Sequence, residues 1–370
     1  MKSSSISVSN AMILSLKEWI ATLILVALVS GIIYYGWRSW ETFNPGPDHR
    51  ETCWAEKQSD YWAYTRWIKY AKKHYDVLLI GDSVIWGQEV RNDGTISHCL
   101  NEFYGRDIVA NLGNDGLFMA GIDGIVKYYG EDLDNTNVIV QLSPLWLANL
   151  RRDLRPEKKS SYHHPRLIPQ FSTRINYYHD LNTRIGYFIE HYVRLFPFVR
   201  HLMANYYDNK SISSWMMDNP YRDPFTAITF QSTPVMAESQ GESLDWETKK
   251  QKITDEPFVN PSESIQWGLF IDALKRFQVK NSRVFVMIGP YNQYMLTPES
   301  QLRLFTMIEL LKKDLDALGI PYFDTITIGL PSRTFGDNCH LLKEGHMILA
   351  KAMLEDERFR QWLDESHKEK

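Results

Sequence analysis

The longest uninterrupted apolar stretch of the chain runs from Trp19 to Trp37, WIATLILVALVSGIIYYGW, and carries no charged residue. About 20 helical residues cross the hydrocarbon layer of a bilayer. Trp19 at one end and Tyr34, Tyr35 and Trp37 at the other stand where interfacial aromatic belts form. The pattern predicts an uncleaved, single-pass transmembrane anchor over residues 19–37, preceded by a tail of residues 1–18. A cleaved secretory signal is the alternative, but the run exceeds the usual apolar region of a signal and no small-x-small cleavage site follows closely. A soluble core helix would have to be apolar on nearly every side. Lys2, Lys17 and the amino terminus face only Arg38 and the more distant Arg50, a bias that places the amino end in the cytoplasm and everything after about residue 38 outside it.

Beyond the anchor the pattern changes to short apolar runs separated by amphipathic stretches. Residues 38–52 are polar and contain Pro45-Gly46-Pro47-Asp48, which fits a short connector. A helix is predicted near Thr52 to Tyr75. Asp76 to Ile80 reads as a buried strand emptying into the turn Gly81-Asp82-Ser83, with a helix from about Ile96 to Tyr104 after it. Asp107–Ala110, Val138–Leu142, Arg283–Ile288 and a short run at Pro321–Asp324 are further strands, and helices fit up to about Tyr129 and from Glu299 to Leu318. Alternating strands and helices predict an α/β domain over residues 53–362 built on a parallel sheet. The alternation fails between about residues 144 and 281, too long for a plain loop. That insertion holds an aromatic-rich helical region from Tyr177 to Tyr207, irregular chain near 218–262 and a helix from Glu263 to Gln278. Its aromatics either pack onto the sheet or form a lid or wall over a substrate. The doublets Arg151-Arg152 and Lys158-Lys159 fit a solvated loop, with lipid headgroups as the alternative contact.

At 370 residues the chain can bury a large core, and a formal net charge of -4 argues against a general nucleic-acid binder. Cys53, Cys99 and Cys339 are too few and too scattered for a disulfide framework. No cofactor motif is recognised.

Catalytic groups in open α/β sheets gather beyond the carboxyl ends of the strands. Three turns occupy such places: Ser83 after the first strand, Gly113 to Gly116 after the second, and Gly336-Asp337-Asn338-Cys339-His340 near the end. Ser83 would present its hydroxyl at the start of a helix, whose N–H groups can receive developing negative charge. His340 is the candidate base, with Asp337 to orient its ring. His346 fits a core or supporting position, with substrate contact as the alternative; Trp86 fits the core or an acyl pocket. A metal set of Asp337, Cys339, His340 and His346 lacks recognised spacing and competes with the serine site.

These blocks resemble the SGNH, or GDSL-like, hydrolase and acyltransferase superfamily. Gly81-Asp82-Ser83 matches its first block, Asn111-Leu112-Gly113-Asn114-Asp115-Gly116 resembles the second, and Asp337-Asn338-Cys339-His340 matches the last. The resemblance covers roughly residues 75–145 and 280–355 and implies a flavodoxin-like three-layer sandwich. It implies Ser83 as nucleophile, His340 as base, Asp337 as orienter, and the N–H groups of Ser83 and Gly113 as oxyanion donors. One block departs: where the family has Gly-x-Asn-Asp, this chain has Ser143-Pro144-Leu145-Trp146. Losing one oxyanion donor costs about 3 kcal/mol in a comparable hydrolase. Ser143, Gln141, Asn149 and Asn292 are the candidates to replace it, and Asn114 joins Trp86, Ser143, Asn292 and His346 as possible substrate-lining residues.

The anchored arrangement is similar to the D-alanyl transfer protein of teichoic acid modification and to tethered proteins that O-acylate or deacylate envelope polysaccharides. The expected activity is that of a cell-membrane serine esterase or O-acyltransferase. Its expected substrate is an acylated envelope polysaccharide, polyol or lipid-linked molecule, and a multi-spanning membrane acyltransferase is an expected partner. The alternative is a noncatalytic scaffold of an envelope-modification complex.

Overall fold

Strand-forming runs of Val, Ile, Leu and Phe place five strands side by side in the computed structural model, which describes residues 15–50, 60–155, 163–231, 243–245, 248 and 252–368. The strands are β1 (Val77–Ile80), β2 (Val109–Asn111), β3 (Asn137–Leu142), β4 (Arg283–Ile288) and β5 (Tyr322–Asp324). All pair in parallel in the order β2-β1-β3-β4-β5. Their burial on both faces explains why they read as continuous apolar runs.

The helices among the described residues are α1 (Leu16–Trp40), α2 (Tyr61–His74), α3 (Ser83–Trp86), α4 (Ile96–Tyr104), α5 (Met119–Gly124), α6 (Leu181–Tyr192), α7 (Leu195–Tyr206), α8 (Ile212–Asp218), α9 (Ile265–Val279), α10 (Pro298–Ala317), α11 (Lys343–Glu355) and α12 (Glu357–Lys368). Val77, Leu79, Ile139, Phe285, Met287 and Phe323 share one apolar cluster with residues of α4, α11 and α12. The alternate positions Leu78, Ile80, Val138, Val140 and Val286 are equally buried, and α2 and α9 lie against β1 and β4.

The chain divides into two compact units. The smaller holds α1 together with residues 228–231. Ser15 caps α1, accepting from the Glu18 N–H while the Glu18 carboxylate accepts from the Ser15 N–H at 2.7 Å. α1 has 25 residues, and an 18-residue window within it has a mean hydropathy of 2.0, long and apolar enough to cross a membrane. Near its end Trp37 packs on Phe230, ring centroids 4.9 Å apart, and the Thr42 N–H donates to the Phe230 carbonyl at 2.8 Å.

The larger unit begins at Asn44, ahead of the boundary expected near residue 53. Residues read as connector are built into its core. Asn111 N–H donates to the Pro47 carbonyl at 2.8 Å. The Asp48 carboxylate accepts from the side chains of Thr95, Ser97 and Asn111 at 2.7–2.8 Å. Arg50, only 2% exposed, donates to the carbonyls of Gly87 and Val90 at 3.1 and 3.0 Å. A polar sequence masked this because buried charge is tolerated once partners are supplied by distant segments.

Elsewhere the differences are local. The helix expected from Thr52 starts at Tyr61, capped by Asp60, while residues 51–59 and Cys53 lie outside the described residues. The stretch expected as a helix through Tyr129 is α5 followed by a π turn at Ile125–Tyr129. The aromatic-rich helical region of the insertion, expected from Tyr177 to Tyr207, consists of two helices, α6 and α7, separated at Val193 and Arg194.

Candidate active site

Parallel strands open their carboxyl ends along one edge, and a ligand site belongs where the connections from neighbouring strands diverge, here between β1 and β3. Gly81-Asp82-Ser83 leaves β1 at that point. The Asp82 carboxylate caps α3 by accepting from the Val84 N–H at 2.9 Å, which sets Ser83 as the first residue of the helix. The turn is held from β3, where Gln141 Oε1 accepts the Asp82 N–H at 2.9 Å and Gln141 Nε2 donates to the Gly289 carbonyl at 3.3 Å. Burial pushes the Asp82 carboxyl above its ordinary pKa against the opposing Val84 N–H.

The histidine arrives from the far end of the chain. Ser83 Oγ lies 2.6 Å from His340 Nε2. His340 Nδ1 lies 2.7 Å from Asp337 Oδ2. The other oxygen, Asp337 Oδ1, accepts the N–H groups of Cys339 and His340, each at 2.9 Å, so a single carboxylate shapes its own turn and orients the ring. Burial draws the His340 pKa down, but the adjacent Cys339 sulfur and the Asp337 carboxylate outweigh it and hold it above the ordinary imidazole value. Burial keeps the Cys339 thiol protonated, so the lasting negative charge beside the ring is Asp337. Serine, histidine and aspartate thus form one hydrogen-bonded chain suited to move a proton from Ser83 Oγ to His340 Nε2.

Asp337, Cys339 and His340 also place their ligand atoms within 4.8 Å of one another. Both ring nitrogens of His340 are engaged by Ser83 and Asp337, so a metal at this group would have to take one of those bonds. His346, weighed as a fourth ligand, is not in the group.

Gly113 packs against the backbone of α3. A Cβ there would stand 2.2 Å from the Trp86 nitrogen and 2.6 Å from the Ile85 carbonyl carbon, so only glycine permits the approach. The expected oxyanion role of its N–H does not appear in this arrangement: that N–H donates to Asn111 Oδ1 at 2.9 Å. The Ser83 N–H has no acceptor among the described residues. The candidates for the missing asparagine are occupied differently. Asn292 Nδ2 donates to the Asp337 carbonyl at 2.9 Å, bracing the histidine turn, and Asn149 Nδ2 donates to Glu256 at 3.0 Å. Gln141 braces the serine turn, and Ser143 is buried beside Asp82. Asn114 is buried with its N–H on the Gly81 carbonyl at 3.0 Å.

Neither His346 nor Trp86 lines the cleft at Ser83. His346 is fully buried in α11, where burial, with the charges of Arg50 and His340, holds its pKa down to about 3. Trp86 is a core residue under the Arg50 guanidinium, 5.1 Å from its ring. The cleft itself, about 640 Å³, is walled by Ser83 and His340 together with Trp146, Arg151, Arg152 and His163. Trp146 Nε1 donates to Asp82 at 3.3 Å, tying the segment after β3 to the serine turn. Trp146 carries no motif, and only its place just after β3, a strand flanking the divergence point, could have marked it; Arg151 and Arg152 are visible as a basic doublet, and nothing in the sequence marks His163.

No protein-family model and no curated protein matches the chain, so its chemistry is read from the site alone.

Proposed function

We propose that this chain is a membrane-anchored serine esterase or O-acyltransferase of the SGNH type, working through an acyl-serine intermediate on an acylated envelope glycan, polyol or lipid-linked substrate. The observation that carries the reading is the Ser83–His340–Asp337 chain, at 2.6 and 2.7 Å, opening on a cleft of about 640 Å³. The strand order supports a flavodoxin-like sandwich of that superfamily. The apolar length of α1 and the charges flanking it support a single-pass anchor with the amino end in the cytoplasm and the catalytic domain outside. A multi-spanning membrane acyltransferase is the proposed partner.

Ser83 Oγ attacks the acyl carbonyl carbon while His340 Nε2 takes its proton. The tetrahedral intermediate collapses, the bond to the leaving oxygen breaks, and His340 returns the proton to that oxygen. Water or a second hydroxyl then gives its proton to His340, attacks the acyl-serine and releases the acid or the transferred ester as Ser83 recovers its proton. Asp337 stays ionised and supports the imidazolium in both halves.

The test is intact-protein mass of the full chain in nonionic detergent after exposure to a serine-reactive fluorophosphonate. One adduct is expected, absent in Ser83→Ala. No adduct on folded protein would sink the reading. Two features favour a second reading, a scaffold or a site completed by a partner: the Gly113 N–H is taken by Asn111, and Ser143-Pro144-Leu145-Trp146 stands where the resembled family has its Gly-x-Asn-Asp block. A scaffold predicts that Ser83→Ala leaves the cellular phenotype intact.

A further inference from the structure

Two arginines on the wall of the cleft have no use in the chemistry above. Arg151 and Arg152 line the same cavity as Ser83 and His340, on the turn that follows β3. Arg151 is exposed and Arg152 half-buried, and neither guanidinium has an ion-pair or hydrogen-bond partner among the described residues. Their neighbours differ. Arg155, in the same turn, is paired to Asp153 at 3.0 Å, and Arg166 and Arg276 are paired to Glu190 and Asp123 at 2.9 and 2.7 Å. The other titratable groups lining the cleft among the described residues are His163, Asp115 and His340, and the Glu256 carboxylate is held against the same turn, accepting from Asn149 Nδ2 at 3.0 Å.

The turn that bears the two arginines is fixed in place. The Arg152 N–H donates to the Asn149 carbonyl at 3.1 Å, and the Arg152 carbonyl accepts Gln266 Nε2 at 2.9 Å. The buried Asp153 carboxylate accepts the Gln266 N–H at 3.0 Å and the Ser264 hydroxyl, pinning the turn to the start of α9. The pinned backbone removes the turn's share of the ordering cost, and two adjacent guanidiniums carried by it beside a nucleophile are matched to an anion by charge and by their paired donors.

We infer that Arg151 and Arg152 form an anion subsite that selects substrates bearing a carboxylate or phosphate group on the sugar or polyol part near the acyl ester. The inference deepens the proposed esterase or transferase function and rests on it for the position of the ester. The anion would sit on the guanidiniums while the acyl carbonyl reaches Ser83.

The test uses the full chain in nonionic detergent, with acetyl esters of a uronic acid, of glycerol phosphate and of a neutral sugar. Wild-type kcat/KM is expected to favour an anionic over the neutral ester, with the preference shrinking as salt is raised. In Arg151→Gln/Arg152→Gln the anionic-to-neutral ratio should fall at least about tenfold, the size of one lost charge-assisted contact, and Arg151→Lys/Arg152→Lys should recover part of it. Comparing uronate with glycerol phosphate identifies the anion's source. A ratio unmoved by the double glutamine variant, or a wild type with no anionic preference, overturns the subsite. A second arm titrates oligouronate, oligoglycerol phosphate and a neutral dextran oligomer onto the same proteins by calorimetry. Arginine-dependent binding of an anionic oligomer without turnover of any ester supports the subsite and overturns the esterase reading. Turnover of the neutral ester without arginine-dependent binding does the reverse.

Discussion

Gly113→Ala isolates the contact between the second turn and the serine helix. The added methyl would stand 2.2 Å from the Trp86 nitrogen, 2.6 Å from the Ile85 carbonyl carbon and 2.7 Å from the Trp86 Cα. Ordinary contact begins near 3.4 Å, so α3 or the Gly113 turn must give by 3.4 − 2.2 = 1.2 Å. All three atoms are backbone of the four-residue helix that starts at Ser83, so no side-chain rotation relieves the clash. Overpacking of this kind costs about 1–3 kcal/mol of stability. The catalytic effect is larger, because a displacement near 1 Å breaks the 2.6 Å contact between Ser83 and His340. Misplacement on that scale costs about 100-fold in rate. The assay is the second-order rate of fluorophosphonate labelling beside the thermal midpoint, with Gly268→Ala as control. Gly268 is exposed in α9 and a Cβ there meets nothing within 4 Å, so its alanine variant should be stabilised by about 0.5–1 kcal/mol and label normally. A Gly113→Ala protein that melts and labels like wild type would refute the reasoning.

Three further outcomes follow from the same geometry. His340 must be neutral to accept the Ser83 proton, and Asp337 holds its pKa above the ordinary 6.5, so the labelling rate should rise with pH through a limb above 6.5; in Asp337→Asn the limb should move to lower pH and the plateau fall by about 10⁴-fold, as in a comparable triad, and an unmoved limb would count against the assignment. His346 and His164 are buried with pKa values held down to about 3 and about 4, so the unfolded chain takes up protons below 6.5 that the folded chain refuses. Their stabilising contribution is therefore complete above 6.5 and lost as pH falls, by roughly 1 kcal/mol per pH unit for each; urea midpoints measured from pH 7 to 4.5 should show this slope, reduced in His346→Leu. Asp48→Ala should destabilise the larger unit by about 3–5 kcal/mol, because it strips the hydroxyls of Thr95 and Ser97 and the amide of Asn111 of their shared acceptor beside buried Arg50; a urea midpoint close to wild type would show that residues 44–50 are a spacer after all.

What could be read from the sequence alone is what depends on near neighbours. Residues 19–37 announce a helix long and apolar enough to cross a membrane because apolar length is a property of the segment itself, and α1 extends it by three residues at each end. Arg283–Ile288 and Ile96–Tyr104 appear with the bounds their patterns predict, since the first is a run buried on both faces and the second lies between a threonine cap and Gly105. Asp337 and His340 could be paired because a carboxylate three residues before a histidine can accept that residue's own N–H and still reach its ring. Tertiary structure decided the rest. Ser83 and His340 lie 257 residues apart, and only the parallel pairing of β1 with β3, β3 with β4 and β4 with β5 brings their turns to one edge. The same folding puts Asn111 Oδ1 on the Gly113 N–H, buries Asp48 and Arg50 under a polar stretch that reads as tether, and turns Arg151-Arg152 from a surface doublet into the wall of the cleft. Each of these outcomes depends on which distant atom supplies a hydrogen-bond partner, a counter-charge or a facing wall, and local periodicity carries no record of that.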